Sequence, residues 1–512
     1  MRKIYKSIVA TSVLVGSLIT TMPMTIAQTN QTSQDKPTVL FDRSHAQTAG
    51  AADWTSDGAF SDYADSFKEQ GYQVKDIDGQ SNIKDQTLKQ SQILVIPEAN
   101  IPFKTTEQNA IANYVKQGGN VIFISDHYNA DRNLNRIDSS EAMNGYRRGA
   151  FDDMSKGMTN DEKHSKAMQD VKSSDWLSNQ FGIRFRYNAL GNVTTKNIVS
   201  PKESMGITKD INSVSMHAGS TLAITDPNKA KGIVYTPSHL SSKDKWSHAV
   251  DQGVYNNGGI KEGPYVAISK VGQGKAAFIG DSSLVEDSSP KYKREDTGEN
   301  KKTYNGFHEE DNGKLLEQIT KWMNQKDKST SLSNSNVKLD QKTPLHSFEQ
   351  PQNSKEPEKE PWSQPPSGYK WYDPSTFKAG SYGSKRSTND QQDDTDTSSH
   401  EHGKVKFELP KNIVKEQPFN ITVTLTGFPP NKTITDLKLG IYKDNGRQIG
   451  QFSNQQQSFS QPGYSTPQSV KTDDNGNATI QFKAKTTEDI DHAKIRLKQD
   501  SQIIDTKDIS ST

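Results

Sequence analysis

Residues 118–133 read GGNVIFISDHYNADRN: two glycines, an unbroken apolar run, and then a cluster of polar and ionisable side chains. A helical pattern over residues 105–116 comes before the glycines, and glycine commonly ends a helix. The apolar run is therefore predicted to be a buried parallel strand. Ligands of open α/β sheets bind beyond the carboxyl ends of such strands, so Asp126, His127 and Asp131 lie where a site is expected.

The same pattern recurs upstream of this stretch. A strand predicted over residues 38–41 runs into Asp42, Arg43 and His45, and a strand over 93–96 precedes Glu98 and Asn100. Alternating strands and helices predict an α/β fold, a parallel sheet with helices on both faces. Because parallel strands end at one edge, the polar groups after these strands are expected to converge there.

The remainder of this first domain, residues 37–325, continues the pattern. Residues 133–163 are polar and lack periodicity, which is typical of a functional loop or lid. Two later strand ends carry His217 and Asp281, which could join the same edge. An amphipathic helix over residues 315–323 is predicted to close the domain.

A change of composition follows. Residues 326–402 are rich in Ser, Pro, Gln and Asn and are predicted to be a disordered linker, interrupted by an aromatic island at 369–377 that could dock on a domain or a ligand. From residue 403 to 512 apolar and polar residues alternate between turn residues. This period of two predicts a β-sandwich of immunoglobulin-like architecture.

The amino terminus resembles an export signal. A basic start, an apolar core and a small-residue cleavage site predict a signal peptide over residues 1–27, followed by a polar spacer over 28–36. A membrane anchor is the alternative, but the apolar core is short for a span. The mature protein is expected to be secreted, extracellular or loosely associated with the cell surface, with no transmembrane segment.

Composition narrows the possible functions of the 512-residue chain. It has a formal net charge of +1, so no global field attracts nucleic acid or an anionic membrane, and polyanion binding requires a local patch. It contains no cysteine, which excludes a thiolate nucleophile and a thiolate metal site.

The runs at 39–42, 93–97 and 118–126, with a helix between the last two, resemble the class I glutamine amidotransferase-like superfamily, a flavodoxin-like parallel sheet. The resemblance is at the level of the fold and covers about residues 37 to 325. Amidotransferases of that family use a Cys nucleophile, which is missing here, so glutamine hydrolysis is not expected. The chain also looks similar to exported Gram-positive proteins labelled DNA-binding protein, although it has no helix-turn-helix, finger or RNA-recognition signature.

Carboxylates and imidazoles are ligands that suit zinc or manganese with an activated water. The sequence therefore predicts a metal-assisted hydrolase, with Asp126, His127 and His45 as catalytic residues. The alternative for each residue is structural, because Asp after a strand often caps a helix and His is often a bonded loop residue. The predicted metal ligands are Asp42, His45, Asp126, His127 and Asp131.

Guanidinium groups could hold the phosphate or carboxylate of a substrate, unless they pair with nearby carboxylates. The predicted substrate-binding residues are Arg43, Gln47, Asn100, Arg132, Arg147 and Arg148. The expected substrate is an extracellular phosphate, glycan or nucleic acid. The alternative function is non-catalytic binding of an extracellular polyanion such as DNA, or of a cell-envelope polymer. The sequence does not indicate an oligomeric state.

Overall fold

The structure is a computed structural model. It describes residues 36–47, 53–79, 83–128, 130, 135–250, 253–288, 292–295, 298–301, 303–356, 367–384, 404–410, 412–428, 430–443, 447–453, 458–499 and 502–509. The predicted signal peptide, Asp131 and Arg132 lie outside these residues. In the part of the chain that is described, no helix is both long and apolar enough to cross a membrane.

The elements are numbered in chain order. The helices are α1 Ser61–Glu69, α2 Asp85–Leu88, α3 Thr105–Lys116, α4 Ser139–Asn144, α5 Asn160–Lys163, α6 Trp176–Phe181, α7 Gly259–Glu262 and α8 Asn312–Asn324. The strands are β1 Thr38–Asp42, β2 Gln73–Ile77, β3 Ile93–Pro97, β4 Asn120–Ile124, β5 Ile183–Phe185, β6 Val193–Thr195, β7 Val214–Met216, β8 Leu222–Ile224, β9 Ala230–Tyr235, β10 Pro264–Val271, β11 Gly274–Ile279, β12 Lys404–Glu408, β13 Phe419–Thr426, β14 Thr433–Lys443, β15 Gly450–Phe452, β16 Gln468–Lys471, β17 Ala478–Thr486, β18 Ala493–Gln499 and β19 Gln502–Ile509.

A seven-stranded, mostly parallel sheet forms the core of the α/β part, in the order β2-β1-β3-β4-β11-β10-β9. Strands β1, β2, β3, β4 and β11 run parallel to their neighbours in this set, whereas β10 is antiparallel to both β11 and β9. The carboxyl ends of β1, β3, β4 and β11 therefore lie at one edge, which we call the carboxyl edge. Strand β3 separates β1 from β4, so the two polar clusters after those strands are not on adjacent strands as the sequence suggested.

Alternate side chains of the buried strands enter two apolar clusters. Leu40 belongs to a cluster with Ile111 of α3, whereas Val39 and Phe41 belong to a second cluster with residues of α1 and α8. The two glycines before β4 end α3: Gly118 has a φ of +110°, which other residues rarely adopt. This turn directs the chain into β4, which places Asp126 at the carboxyl edge.

Two antiparallel four-stranded sheets form the C-terminal β region, residues 404–509. Their orders are β12-β13-β17-β15 and β16-β14-β18-β19. Apolar residues of both sheets, such as Val423 and Leu439, share one core. The period-two pattern of the sequence corresponds to the strands of this region, since burial alternates along β13 and β17.

Described residues of the expected linker make specific contacts with the α/β part. Glu349, which is 3% exposed, forms a bidentate pair with the buried Arg186 at 2.7 and 2.6 Å. The Trp371 indole, in the aromatic island, donates to Glu162 at 2.8 Å. Composition alone favours disorder here, but a few charged and aromatic side chains anchor residues 326–356 and 367–384.

Candidate functional site at the carboxyl edge

The groups after β1 form a buried hydrogen-bonded network. His45 is 2% exposed; its Nδ1 lies 2.8 Å from Asp42 and its Nε2 lies 3.2 Å from Glu107 of α3. Asp42 also accepts hydrogen bonds from Ser44 and from the Gln47 amide, which lies 2.9 Å away. These residues connect β1 to the start of α3.

The electrostatics of this network favour a structural role. Burial opposes a charge on His45, but the carboxylates of Asp42 and Glu107 outweigh it and raise the pKa of His45 to about 10. The imidazolium is thus enclosed by two carboxylates beneath α3. Asn100, 2% exposed, donates to the backbone of Ala46 and Glu98. Gln47 and Asn100 therefore hold the loop and are not presented to a substrate.

The groups after β4 have a different environment. Asp126 is partly exposed and accepts hydrogen bonds from the backbone N–H of His127 at 2.6 Å, with the His127 Nδ1 3.0 Å away. The His127 ring packs edge-on against the half-buried Trp246, with centroids 6.1 Å apart. Asp126 is thus the accessible carboxylate of this strand end.

Asp281, after the neighbouring strand β11, is fully buried beside Asp126. Its carboxyl accepts hydrogen bonds from the backbone N–H of His217 at 2.7 Å, the Tyr265 hydroxyl at 2.9 Å and the backbone N–H of Ser283 at 2.8 Å. Burial, and after it the negative charge of Asp126, raise the pKa of Asp281 to about 7. Like charges this close disfavour simultaneous ionisation.

Glu286 adds a second buried carboxyl to the group. It is 4% exposed and accepts hydrogen bonds from the Trp54 indole at 2.8 Å, the Ser282 hydroxyl at 3.1 Å and the backbone N–H of Tyr304 at 2.9 Å. Burial raises the pKa of Glu286 to about 8, and the charges of Asp126 and Asp281 act in the same direction. The carboxyl edge therefore holds carboxyl groups that retain protons near neutral pH.

An imidazole completes the arrangement. His217 Nε2 lies 2.5 Å from the Glu309 carboxylate, and the His217 ring stacks on Tyr304 with centroids 4.4 Å apart. Tyr304 is 39% exposed and His217 is partly exposed. We call Asp126, His217, Asp281, Glu286, Tyr304 and Glu309 the edge cluster.

The structure does not join the four described members of the expected metal-ligand set, Asp42, His45, Asp126 and His127, into one metal site. Asp42 and His45 pair with each other and with Glu107, whereas Asp126 pairs with His127. Among the residues the structure describes, no group of three or more His, Asp or Glu side chains is arranged to hold a metal ion.

The described arginines of the predicted substrate set have partners within the protein. Arg43 forms ion pairs with Asp57, Asp76 and Asp78. Arg147, 1% exposed, donates to two backbone carbonyls at 2.8 and 2.9 Å. Arg148 lies over the rings of Tyr128 and Tyr187, about 5.0 and 4.8 Å from their centroids. Pairing with nearby carboxylates was the alternative to anion binding, and Arg43 makes such pairs. Anion binding by these guanidinium groups stays a prediction.

Sequence reasoning included Asp126, His217 and Asp281 but missed Glu286, Tyr304 and Glu309. Glu286 lies seven residues beyond the end of β11, and Tyr304 and Glu309 lie in a segment between β11 and α8 that contains no strand, so no strand end marks them in the sequence. Only the hydrogen bonds of Glu286 with Trp54 and Tyr304, residues distant in the chain, reveal their place.

No protein-family model matches the sequence, and no curated protein matches it. Solved structures give distant likenesses. The N-terminal domain of mmIFT52 is 14% identical with a TM-score of 0.36, and the match covers 57% of this chain and 99% of that one. A thuA-like protein from Bacteroides uniformis is 13% identical with a TM-score of 0.33, covering 58% and 94%.

A third likeness is to the β-galactosidase Gan42B from G. stearothermophilus, 9% identical with a TM-score of 0.28, covering 87% of this chain and 40% of that one. All of these TM-scores are low. The chain's own sheet order establishes a parallel-sheet α/β core followed by antiparallel sheets, which is compatible with an amidotransferase-like fold.

Proposed function

We propose that the protein is an exported hydrolase whose acid–base groups are Asp126 and His217 of the edge cluster. One observation carries the proposal: a partly exposed carboxylate lies beside two buried carboxyls whose pKa values rise to about 7 and 8. Strongly perturbed carboxyls in a cluster at the carboxyl edge of an α/β sheet are typical of functional sites.

The groups of the edge cluster support distinct roles. Asp126 is placed to accept a proton from an attacking water, because its carboxyl group is partly exposed at the carboxyl edge. His217, oriented by Glu309 at 2.5 Å, is placed to give a proton to the leaving group. Burial raises the pKa values of Asp281 and Glu286 to about 7 and 8, which limits the negative charge around Asp126 near neutral pH.

Aromatic rings favour a glycan among the three expected substrate classes. Tyr304 stacks on His217 at the surface, and Trp246 packs against His127 next to Asp126. Such rings offer apolar faces to sugar rings. The three described arginines of the predicted substrate set, Arg43, Arg147 and Arg148, have partners within the protein.

The proposal also includes three assignments of fold and export. They are an amidotransferase-like α/β domain with helices on both faces, an immunoglobulin-like sandwich for residues 403–512, and export directed by residues 1–27. Alternate residues of β1 enter two different apolar clusters, which supports helices on both faces of the sheet. The two C-terminal sheets share one core, which supports the immunoglobulin-like sandwich.

The test is a panel of soluble and cell-wall glycans, phosphoesters and nucleic acids, assayed with wild type, Asp126→Asn, His217→Gln and the exposed control Glu408→Gln. General acid–base catalysis is worth about 10²–10⁴-fold, so each site variant should lose activity on that scale while the control keeps it. Wild-type activity on the panel that survives both site substitutions would overturn the assignment.

Two further measurements test the predicted divalent metal and the alternative function of polymer binding. Stoichiometric zinc or manganese in the purified protein, lost in Asp126→Asn, would support the metal. DNA or cell-envelope polymer retained without turnover, in a salt-sensitive manner, would favour the binding function.

A further inference from the structure

The C-terminal β region meets the α/β part through buried charges. Lys498 of β18 is fully buried, and its Nζ lies 2.8 Å from Asp62 and 3.2 Å from the Ser61 hydroxyl of α1. Arg496 of the same strand pairs with Asp65 at 2.7 Å and lies 3.6 Å from Glu69. Two cations of β18 thus face a row of carboxylates on α1.

The row of charges continues from α1 toward the carboxyl edge. The second oxygen of Asp62 lies 2.8 Å from His308 Nε2. Asp287 accepts hydrogen bonds from the Ser61 hydroxyl at 2.6 Å and from the backbone N–H of Asp62 at 2.8 Å. The start of α1 therefore links Lys498 to both His308 and Asp287.

His308 and Asp287 flank the edge cluster. Asp287 follows Glu286 directly, and its backbone carbonyl accepts from the Thr303 hydroxyl at 2.6 Å. Glu286 accepts from the backbone N–H of Tyr304 through its side chain and from that of Phe307, 3.1 Å away, through its carbonyl. Residues 303–309 are thus held by Glu286 and Asp287 on one side and by Asp62 on the other.

We infer that Lys498 is a positioning residue for the edge cluster, and that the C-terminal β region acts as a fixed brace on residues 303–309. The catalytic effect of Lys498 rests on the proposed function, whereas its effect on the position of residues 303–309 does not. The opposing charges explain the docking: Asp62 and Asp65, both nearly fully buried, have Lys498 and Arg496 as partners. A buried carboxylate without its partner is strongly unfavourable.

The brace has a chemical consequence for the edge cluster. Tyr304 stacks on His217 and Glu309 orients the same imidazole, and both belong to the braced segment. Loosening this segment should misplace His217 while leaving Asp126, which follows β4, in its position. The expected kinetic effect is a lower kcat with little change in KM.

Hydrogen exchange of the full-length protein, followed by mass spectrometry, tests the inference. Lys498→Met should make the amides of residues 303–309 exchange about tenfold faster or more, because a local opening becomes easier. The matched control is Lys507→Met, an exposed lysine on neighbouring strand β19, which should not change them. Unchanged exchange in folded Lys498→Met overturns the inference.

A second variant keeps the test decisive if Lys498→Met fails to fold. His308→Gln cuts the link between Asp62 and the segment and leaves the Lys498–Asp62 pair in place, so residues 303–309 should again exchange faster. Exchange at wild-type rates in His308→Gln overturns the inference. Faster exchange in these variants, together with hydrolytic activity that survives Asp126→Asn and His217→Gln, would retain the brace and refute the proposed acid–base groups.

Discussion

His45 shows how burial decides what an ionisable residue does. It lies between Asp42 and Glu107, and the three side chains are at most 3% exposed. Removing the central cation leaves two buried carboxylates facing each other. The enclosed imidazolium is therefore expected to stabilise the fold, and its contribution to the free energy of unfolding can be measured.

We expect His45→Ala to lower the free energy of unfolding by about 3 kcal/mol near pH 6, as breaking a buried ion pair does. Because the pKa of His45 is raised from 6.5 to about 10, this contribution is complete below pH 6.5 and is lost as pH rises through 10. Urea denaturation at several pH values measures it. The exposed control His164→Ala should change stability by less than about 0.5 kcal/mol; an equal effect in both variants contradicts the prediction.

Glu286 should produce a pH effect of its own. Its pKa is raised from 4.5 to about 8, so between these values the folded protein holds a proton that the unfolded chain has released. Stability therefore falls as pH rises through this window, by up to about 1.4 kcal/mol per pH unit. In Glu286→Gln that part of the slope should vanish. Identical slopes for variant and wild type in thermal or urea unfolding would show that Glu286 titrates normally.

At the scale of elements, the local sequence pattern predicts where strands and helices lie better than it predicts which strands pair in the sheet. The apolar runs at 38–41, 93–96 and 121–124 all became buried strands, because an unbroken apolar run needs burial on both faces. Strand order was not predictable: β11 pairs with β4 and β3 separates β1 from β4, through contacts between residues far apart in the chain. The clusters after β1 and β4 look equivalent in sequence, and they differ in the structure because His45 is buried against Glu107 of α3 whereas Asp126 is partly exposed.

We expect that residues 326–356 are held on the α/β part by the ion pair between Glu349 and Arg186. Glu349 is the carboxylate partner of Arg186, which is 1% exposed in its side chain. Glu349→Ala leaves that guanidinium buried without its partner and should cost about 3 kcal/mol. Limited proteolysis should then cut within residues 326–356 faster than in wild type. Lys355→Ala, exposed nearby, is the control; resistance unchanged in Glu349→Ala would mean that the segment is held by other contacts.

At the scale of the molecule, the described residues from Pro37 onward group into one compact unit, although composition predicts two domains joined by a disordered linker. The buried pairs of Lys498 and Arg496 with α1 supply the coupling, since separating the parts would leave charges on both sides without partners. Interfaces of this kind favour joint unfolding over independent unfolding. The C-terminal β region should therefore unfold together with the α/β part.

Four of the six tryptophans, Trp54, Trp176, Trp246 and Trp322, lie within residues 37–325 and none follows residue 371, so tryptophan fluorescence follows the α/β part and does not report on the C-terminal β region. Exchange protection of β13 and β17 reports on the latter. We expect the two probes to give the same urea midpoint in wild type and in Lys507→Met, and different midpoints in Lys498→Met, where about 3 kcal/mol of coupling is lost. Two separate transitions in wild type would mean that the buried charges do not join the parts energetically, whatever their geometry.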